Sequence, residues 1–448
     1  MKEKIKIGYV GLGRRGLLVL ERGMVKMKDV EITMLCDLLD ERLEAGAKAV
    51  TEAGKPMPIL TKNYQDLLDN PELDAIMLFT CWDNRVSLAK QSMLAGKYTS
   101  IEVGCAANVE ECFELVDLYE KTGVPIMMLE NCCYGKLELM AINMERQGAF
   151  GEVVHAAGGY CHHLNNDELF KEMIGEGKDK VTHYRLAHYI NGNSENYPTH
   201  ELGPIAKCLR INRGNKMLTL SSFASKGRAL QQFAKDKFGE DNEYAKIDYK
   251  QGDIVTTVIT CANGETILLT LDTTAPRPYY SRQFTIRGTK GMCYEDTKVV
   301  YTDDMAENVR DNLDEMFEKY GHPLNKEVQK FETDYTKLAD SFGMHSGGID
   351  WMIFRAFVES VKAGTQTPID VYDTALWLAI GPLSAESIRK GGAPVEVPDF
   401  TRGKWQNREP LVRQKYCLDE VVVDTELMIY DSIDPNYKKA FDAKNKKD

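Results

Sequence analysis

Apolar and polar residues alternate from Ile5 to Val10 and then give way to a helical period through Leu17, Leu18 and Leu20, which predicts strand, turn and helix. The rhythm then repeats. Strands are expected at Val30 to Cys36, Ala75 to Phe79 and Tyr98 to Val103, with helices at Glu41 to Ala53, Val86 to Ala95 and Val109 to Tyr119. Strands and helices alternating at these lengths build a parallel, doubly wound α/β sheet, which closes near residue 130 at Pro125-Ile126-Met127-Met128-Leu129-Glu130-Asn131.

Past that point the period changes. A helix (Leu137 to Arg146) and a strand (Gly151 to Tyr160) precede a loop-rich stretch up to Tyr197. Two-periodic segments follow at Met217 to Ser222, Asp253 to Thr260, Thr266 to Thr273 and Arg282 to Arg287. They predict an open, mainly antiparallel sheet, with helices at Ile349 to Ala363 and Ala375 to Lys390 covering it or returning to the first domain. The expected organisation is a nucleotide-type domain over 1–130, a sheet domain over 131–395 and a polar, charge-rich arm over 396–448.

The first turn reads Gly11-Leu12-Gly13-Arg14-Arg15-Gly16 between a strand and a helix, the context in which G-x-G-x-x-G marks a Rossmann dinucleotide site. The first glycine permits the turn, the second lets backbone approach a pyrophosphate, and the third lets helix pack on strand. Asp37 closes the second strand, where a carboxylate accepts hydrogen bonds from the adenosine ribose and repels a 2′-phosphate. NAD is therefore the expected cofactor. Thr80-Cys81-Trp82-Asp83-Asn84-Arg85, Glu102 and Glu130 follow later strands, at the carboxyl edge where such sheets bind ligands.

Composition narrows the class. At 448 residues and 43% apolar content the chain can fill two cores. A net charge of −12 and a pI near 5.4 argue against nucleic acid and anionic membranes as partners. Eleven cysteines without a Cys-x-x-Cys pair suggest reduced thiols. No leader and no apolar run of about 18 residues is evident, so a soluble, cytoplasmic protein is expected. The exposed face of an open sheet suggests a homo-oligomer.

Candidate chemistry concentrates in Tyr197-Pro198-Thr199-His200-Glu201-Leu202-Gly203-Pro204, a proline-framed entry into an apolar helix. Six of the eight histidines (His155, His162, His163, His183, His188, His200) cluster nearby, without His-Glu-x-x-His spacing, and no metal is expected. His200 is the first candidate for acid–base work near neutral pH. Tyr160 ends a strand beside Gly158-Gly159. Arg185 and Tyr279 sit in loops, and nothing local promotes them. Glu201 is expected to be a helix-start or surface carboxylate.

With these elements assembled, the chain resembles the glucose-fructose oxidoreductase, inositol dehydrogenase and rhizopine-catabolism superfamily. Its ordinary dehydrogenases carry Glu-Lys-Pro where this chain has Glu102-Val103-Gly104, so the lysine that assists proton transfer is absent. More specifically, Met127 to Cys132, Gly158-Gly159-Tyr160, Tyr197 to Pro204, Ile211-Asn212-Arg213-Gly214 and His345-x-Gly347-Gly348-x-Asp350 look like glycoside hydrolase family 109. That resemblance implies an NAD-dependent α-N-acetylgalactosaminidase acting on a small glycoside. It implies that Arg15, Gly16, Asp37, Trp82, Asp83, Asn84, Arg85, Glu102, Val103 and Asn131 bind NAD. Tyr160, Arg185, Tyr197, Pro198, Thr199, His200 and Tyr279 would contact the sugar, with Glu130, Tyr160, Tyr197 and His200 in catalysis. The implied route is oxidation at C3, elimination across C1–C2, water addition and re-reduction. The alternatives are a sugar dehydrogenase forming a 3-keto product and a dinucleotide-binding sensor.

Overall fold

The computed structural model describes residues 2–164, 184–341, 348–410, 416–422 and 429–445. Its first sheet holds β1 (Ile5–Val10), β2 (Val30–Cys36), β3 (Ile59–Thr61), β4 (Ala75–Leu78), β5 (Tyr98–Ile101) and β6 (Ile126–Met128). All pair in parallel, in the order β3-β2-β1-β4-β5-β6. β4 and β6 are buried throughout, as expected of parallel strands covered on both faces by helices. The order reverses between β1 and β4, and ligand crevices in such sheets open outside the carboxyl ends of the strands at that reversal.

The second sheet runs β13-β12-β11-β7-β10-β9-β8-β14. Its members are β7 (Val153–Cys161), β8 (Met217–Ala224), β9 (Ile254–Cys261), β10 (Thr266–Asp272), β11 (Thr285–Gly288), β12 (Gly291–Tyr294), β13 (Val299–Thr302) and β14 (Val395–Glu396). Only β7 and β10 pair in parallel; every other neighbour is antiparallel. Along β10 buried residues alternate with half-buried ones, so one face packs inward. On the other face Phe223 and Val258 remain exposed.

One helix, Val371–Arg389, bridges the two sheets. Asp370 caps it by accepting the Tyr372 and Asp373 amides. Thr374 Oγ1 accepts the Met128 amide (3.2 Å) and the Leu378 carbonyl accepts that of Ala106 (3.1 Å), both on the first domain. Further along, Ser384 Oγ accepts the Glu195 amide and Ser387 Oγ the Ser222 amide, each at 2.9 Å. The helix Ile349–Ala363 is fastened to the first domain by a bidentate Arg355–Asp29 pair just before β2.

A buried ion cluster closes the C-terminal end of the helix Thr199–Cys208. Lys207 Nζ donates to Asp373 Oδ2 (2.7 Å), to Asp419 Oδ1 (3.2 Å) and to the Pro368 carbonyl (2.7 Å). Arg213 grips Asp373 through both terminal nitrogens at 2.8 Å and reaches Asp419 through Nε. These cations hold the Asp373 carboxyl down at about 2 despite its burial. Part of the expected arm therefore packs on its own chain, with Tyr416 and Leu418 buried and the Tyr134 hydroxyl bonded to the Tyr416 carbonyl.

Some elements lack a clear signal in sequence. β12, β13 and β14 are two to four residues long, and the expected strand Arg282 to Arg287 begins only at Thr285, after Gln283 at φ 51. Tyr184–Asn191 is a helix inside the stretch expected as loop. No helix among the described residues is long and apolar enough to cross a membrane.

Arg213→Ala would leave Asp373 and Asp419 buried with half their cationic partners. A loss of about 3–5 kcal/mol of unfolding free energy is expected, read from urea denaturation, because an uncompensated buried charge is far costlier than a broken surface pair.

Candidate active site

At the carboxyl end of β1 the chain turns through Gly11 at φ 90, where a Cβ would lie 2.5 Å from the Phe79 carbonyl oxygen. A Cβ on Gly16 would lie 2.0 Å from the Gly11 carbonyl oxygen, so the helix Arg14–Arg22 can start there only on glycine. Gly13 differs. Only Arg42 lies within reach of a Cβ there, at 3.7 Å, which leaves the outer side of the loop open. The helix has no side-chain cap and no acid in its first turn, and its amides and dipole face that opening. Loop and helix end thus fit a dinucleotide pyrophosphate. Asp37 stands beside them, its Oδ2 accepting the Leu12 amide (2.7 Å) and its Oδ1 the Leu39 amide (3.1 Å).

From the loop a chain of polar groups runs inward. Arg15 Nε donates to Glu102 Oε1 (3.1 Å), and its terminal nitrogens donate to both oxygens of Asp350 (2.8 and 2.7 Å). Asn131 Nδ2 donates to Asp350 Oδ1 at 2.7 Å, while Glu102 Oε2 accepts the Val103 amide at 3.0 Å. Asp350 is the central acceptor of this chain, and it comes from a helix some 335 positions away from Arg15.

Trp82, Asp83, Asn84 and Arg85 open the helix that follows β4. Trp82 is buried against Gly104, where a Cβ would lie 2.4 Å from the indole nitrogen. Arg85 is buried too. It donates to the carbonyls of Glu102 (2.9 Å), Val103 and Thr80, and so clamps the two loops together. Asp83 and Asn84 are exposed, and Asp83 Oδ1 lies 3.3 Å from His188 Nε2.

Glu130 and His200 meet at the junction of the two domains. Glu130, fully buried after β6, accepts the Cys132 amide (3.0 Å) and lies 2.7 Å from His200 Nδ1. Burial by itself would raise the Glu130 carboxyl; the charge and hydrogen bond of His200, with help from Thr199 and the Cys132 amide, outweigh it and hold the pKa below its ordinary value. A carboxylate on Nδ1 fixes the imidazole so that Nε2 is left to take or give a proton. His200 itself sits in the first turn of the helix Thr199–Cys208, after Pro198.

Aromatic rings wall this pair. Tyr160 and Tyr197 have centroids 4.2 Å apart, and His200 stands edge-on to both, at 5.5 and 5.0 Å. The Tyr160 hydroxyl is 3.1 Å from His162 Nδ1. The Arg185 guanidinium lies over the rings of Tyr197 (4.6 Å) and Trp82 (5.4 Å), linking this wall to the loop after β4.

The expected residues thus converge, with two exceptions. Tyr279 is more than half exposed and turns toward Arg277, while its neighbour Tyr280 packs at Tyr160 and His162 (6.2 and 5.2 Å). Glu201 is a helix-start residue as expected, but it is not a surface one. It is fully buried, because its first-turn position faces β7 and not solvent. Asp350 and Tyr280 were missed; the Gly348-x-Asp350 spacing at a helix start was the available signal for Asp350. His183, His345 and Gly347 lie outside the described residues.

Glu130, Cys132 and His200 bring one potential metal-ligating atom each within 4.8 Å of one another. Glu130 Oε1 is already engaged by His200 and by the Cys132 amide, and Arg282 Nη1 sits 3.4 Å from Cys132 Sγ. A guanidinium on the thiol side repels a cation, so the set suits proton transfer better than metal binding.

Residues 5–130 match the family described as oxidoreductase family, NAD-binding Rossmann fold, and residues 134–407 match the C-terminal domain of glycosyl hydrolase 109. An alpha-N-acetylgalactosaminidase of Tannerella forsythia is 37% identical over 426 residues, covering 91% of this chain and 88% of the relative. A glycosyl hydrolase family 109 protein of Parabacteroides distasonis is 35% identical, covering 91% and 89%. Among solved structures, a levoglucosan dehydrogenase in complex with NADH and L-sorbose superposes with a TM-score of 0.64 at 16% identity, covering 89% of this chain and all of that one. The WlbA dehydrogenase from Bordetella pertussis gives 0.62 at 13% identity, covering 89% and 99%. Both share the fold.

Asp350→Ala would free Arg15 and Asn131 beside the cofactor loop. Charge-assisted hydrogen bonds are worth roughly 1.5–3 kcal/mol each, so an NAD dissociation constant raised about 10- to 100-fold is expected, measured by calorimetry on protein stripped of nucleotide.

Proposed function

The chain belongs to glycosyl hydrolase family 109, and on that footing we propose that it cleaves α-N-acetylgalactosaminides or related glycosides with NAD kept bound through the cycle. The observation that carries the proposal is the buried Glu130–His200 pair, walled by Tyr160 and Tyr197 and separated from the glycine loop by the Arg15–Asp350–Asn131 chain. NAD, when bound, supplies transient oxidation of the sugar at C3 and its reversal, so hydrolysis proceeds without net redox.

The chain's own residues then move protons. His200 takes the 3-hydroxyl proton on Nε2, with Glu130 stabilising the imidazolium that forms. With C3 at the carbonyl level, the C2 proton is acidic and Tyr160, as phenolate, removes it. Glu130 is buried, ionised and turned to Nδ1, which suits orientation and not protonation of the departing oxygen. Tyr197, ring to ring with Tyr160, is the donor assigned to that oxygen. The carboxylate pair of ordinary glycosidases is not needed, since no oxocarbenium ion forms on this route.

An anaerobic panel of aryl glycosides on protein of measured NAD content tests the reading. Release of the aglycone without accumulation of NADH is expected; steady NADH production from free sugar without aglycone release would instead indicate a dehydrogenase. Glu130→Gln keeps the shape of the side chain and removes the charge that fixes His200. A fall in kcat of about 10²-fold or more is expected with NAD content unchanged, and His200→Ala is expected to fall by about 10²- to 10⁴-fold.

A further inference from the structure

Two carboxyl groups that this mechanism does not use flank the catalytic segment. Glu195 precedes Tyr197 by two positions and Glu201 follows His200, and both are 0% exposed. Among the described residues, none of their four side-chain oxygens has a hydrogen-bonding partner. The backbone amides of Tyr197, for Glu195, and of Glu201 itself favour the ionised forms weakly, without forming a full hydrogen bond.

Glu201 is packed side-on against a strand, and the backbone of Glu195 is held in place. A Cβ on Gly158 of β7 would come within 2.5 Å of Glu201 Cβ, so Glu201 lies flat against the strand that carries Tyr160. Around Glu195, its own amide is held by Ser384 and its carbonyl lies 3.7 Å from Cys105 Sγ. The charged groups facing Glu201 are Glu195, Glu130 and Arg282, and Arg282 is already paired with Glu138 and Glu295. Cys105, Cys161, Tyr189 and Tyr280 are the other titratable groups that face the pair. An ionised Glu201 would thus meet two carboxylates and one occupied cation, out of contact with water, an arrangement that protein interiors avoid by protonation.

We propose that Glu195 and Glu201 are positioning residues held as neutral carboxylic acids, leaving Glu130 the carboxylate bonded to His200 and Asp350 the other charge near it, and that ionisation of Glu195 and Glu201 sets the alkaline limit of activity. This rests on the assignment of Glu130 and His200 as the proton-transferring pair. Burial raises both groups, Glu195 to about 8; the charges of Glu195 and Glu130 raise Glu201 further. Once ionised, they add negative charge at both ends of the segment that carries Tyr197 and His200 and push those ends apart.

Stability follows the same protons. An unfolded glutamate ionises near pH 4.3, so from there to about pH 8 the folded chain keeps protons that the unfolded chain has lost, and stability falls as pH rises through that window. Glu195→Gln and Glu201→Gln mimic the neutral acids and remove that penalty. Each variant should gain melting temperature over the unaltered protein by an amount that grows from about pH 5 to about pH 8. The ratio of activity at pH 9 to that at pH 7 should rise about 10-fold, a one-unit displacement of the alkaline limb.

Infrared spectroscopy of the unaltered protein covers the case in which the variants do not fold: a protonated carboxylic acid band should be present at pH 7 and lose its Glu195 component near pH 8. An alkaline limb unmoved in both variants, or no such band at pH 7, would overturn the proposal. If His200→Ala kept full activity while the band and the stability gain remained, the proton-transfer assignment alone would fail.

Discussion

A buried carboxylate held against an imidazole at 2.7 Å is the constraint on which the rest of the site depends. Glu130 is inaccessible to water, so its charge survives only while His200, the Cys132 amide and Thr199 surround it. Glu130 follows the last strand of the first sheet, and His200 sits in the first turn of a helix that packs on the second. The bond between them therefore exists only when both domains are folded and docked. A group with this partner on Nδ1 has one free nitrogen and one defined direction in which to move a proton.

Several structural features serve to keep that junction rigid. The helix Val371–Arg389 bonds to Met128 and Ala106 on one side and to Glu195 and Ser222 on the other, so it fixes the distance between the sheets. The Lys207 and Arg213 cluster anchors the far end of the helix Thr199–Cys208. Gly203 allows close approach as well: a Cβ there would lie 2.9 Å from Glu130 Cγ. The cofactor side connects through Arg15, Asp350 and Asn131, the last of these adjacent to Glu130 in the chain. The glycine loop and the Glu130–His200 pair are thus joined by three hydrogen-bonded side chains and one peptide bond.

The first domain is legible in sequence because its signals are local: a glycine turn between a strand and a helix, an acid at the next strand end, and strands long enough to show their period. β2 ends at Cys36 as its pattern predicts. The second sheet is only half legible, since β12, β13 and β14 are too short to establish alternation and owe their pairing to neighbours. Asp350 was missed because the motif that carries it says nothing of Arg15, which is brought to it only by the packing of a late helix on an early one. Glu201 was misread for a related reason. Its burial depends on Gly158 of a distant strand, and no property of a glutamate in a helix's first turn reveals which way that helix will face. The choice between Tyr279 and Tyr280 turns on one step of register in a loop, which periodicity does not resolve.

On the proposed route, glycoside cleavage passes through loss of the C2 proton to a tyrosine beside a carboxylate-oriented histidine. That step is tested most directly by running the hydrolysis of an aryl α-N-acetylgalactosaminide in deuterium oxide and locating the label in the released sugar. Deuterium is expected at C2, at a level that follows turnover. Full release of the aglycone with only hydrogen at C2 would contradict it.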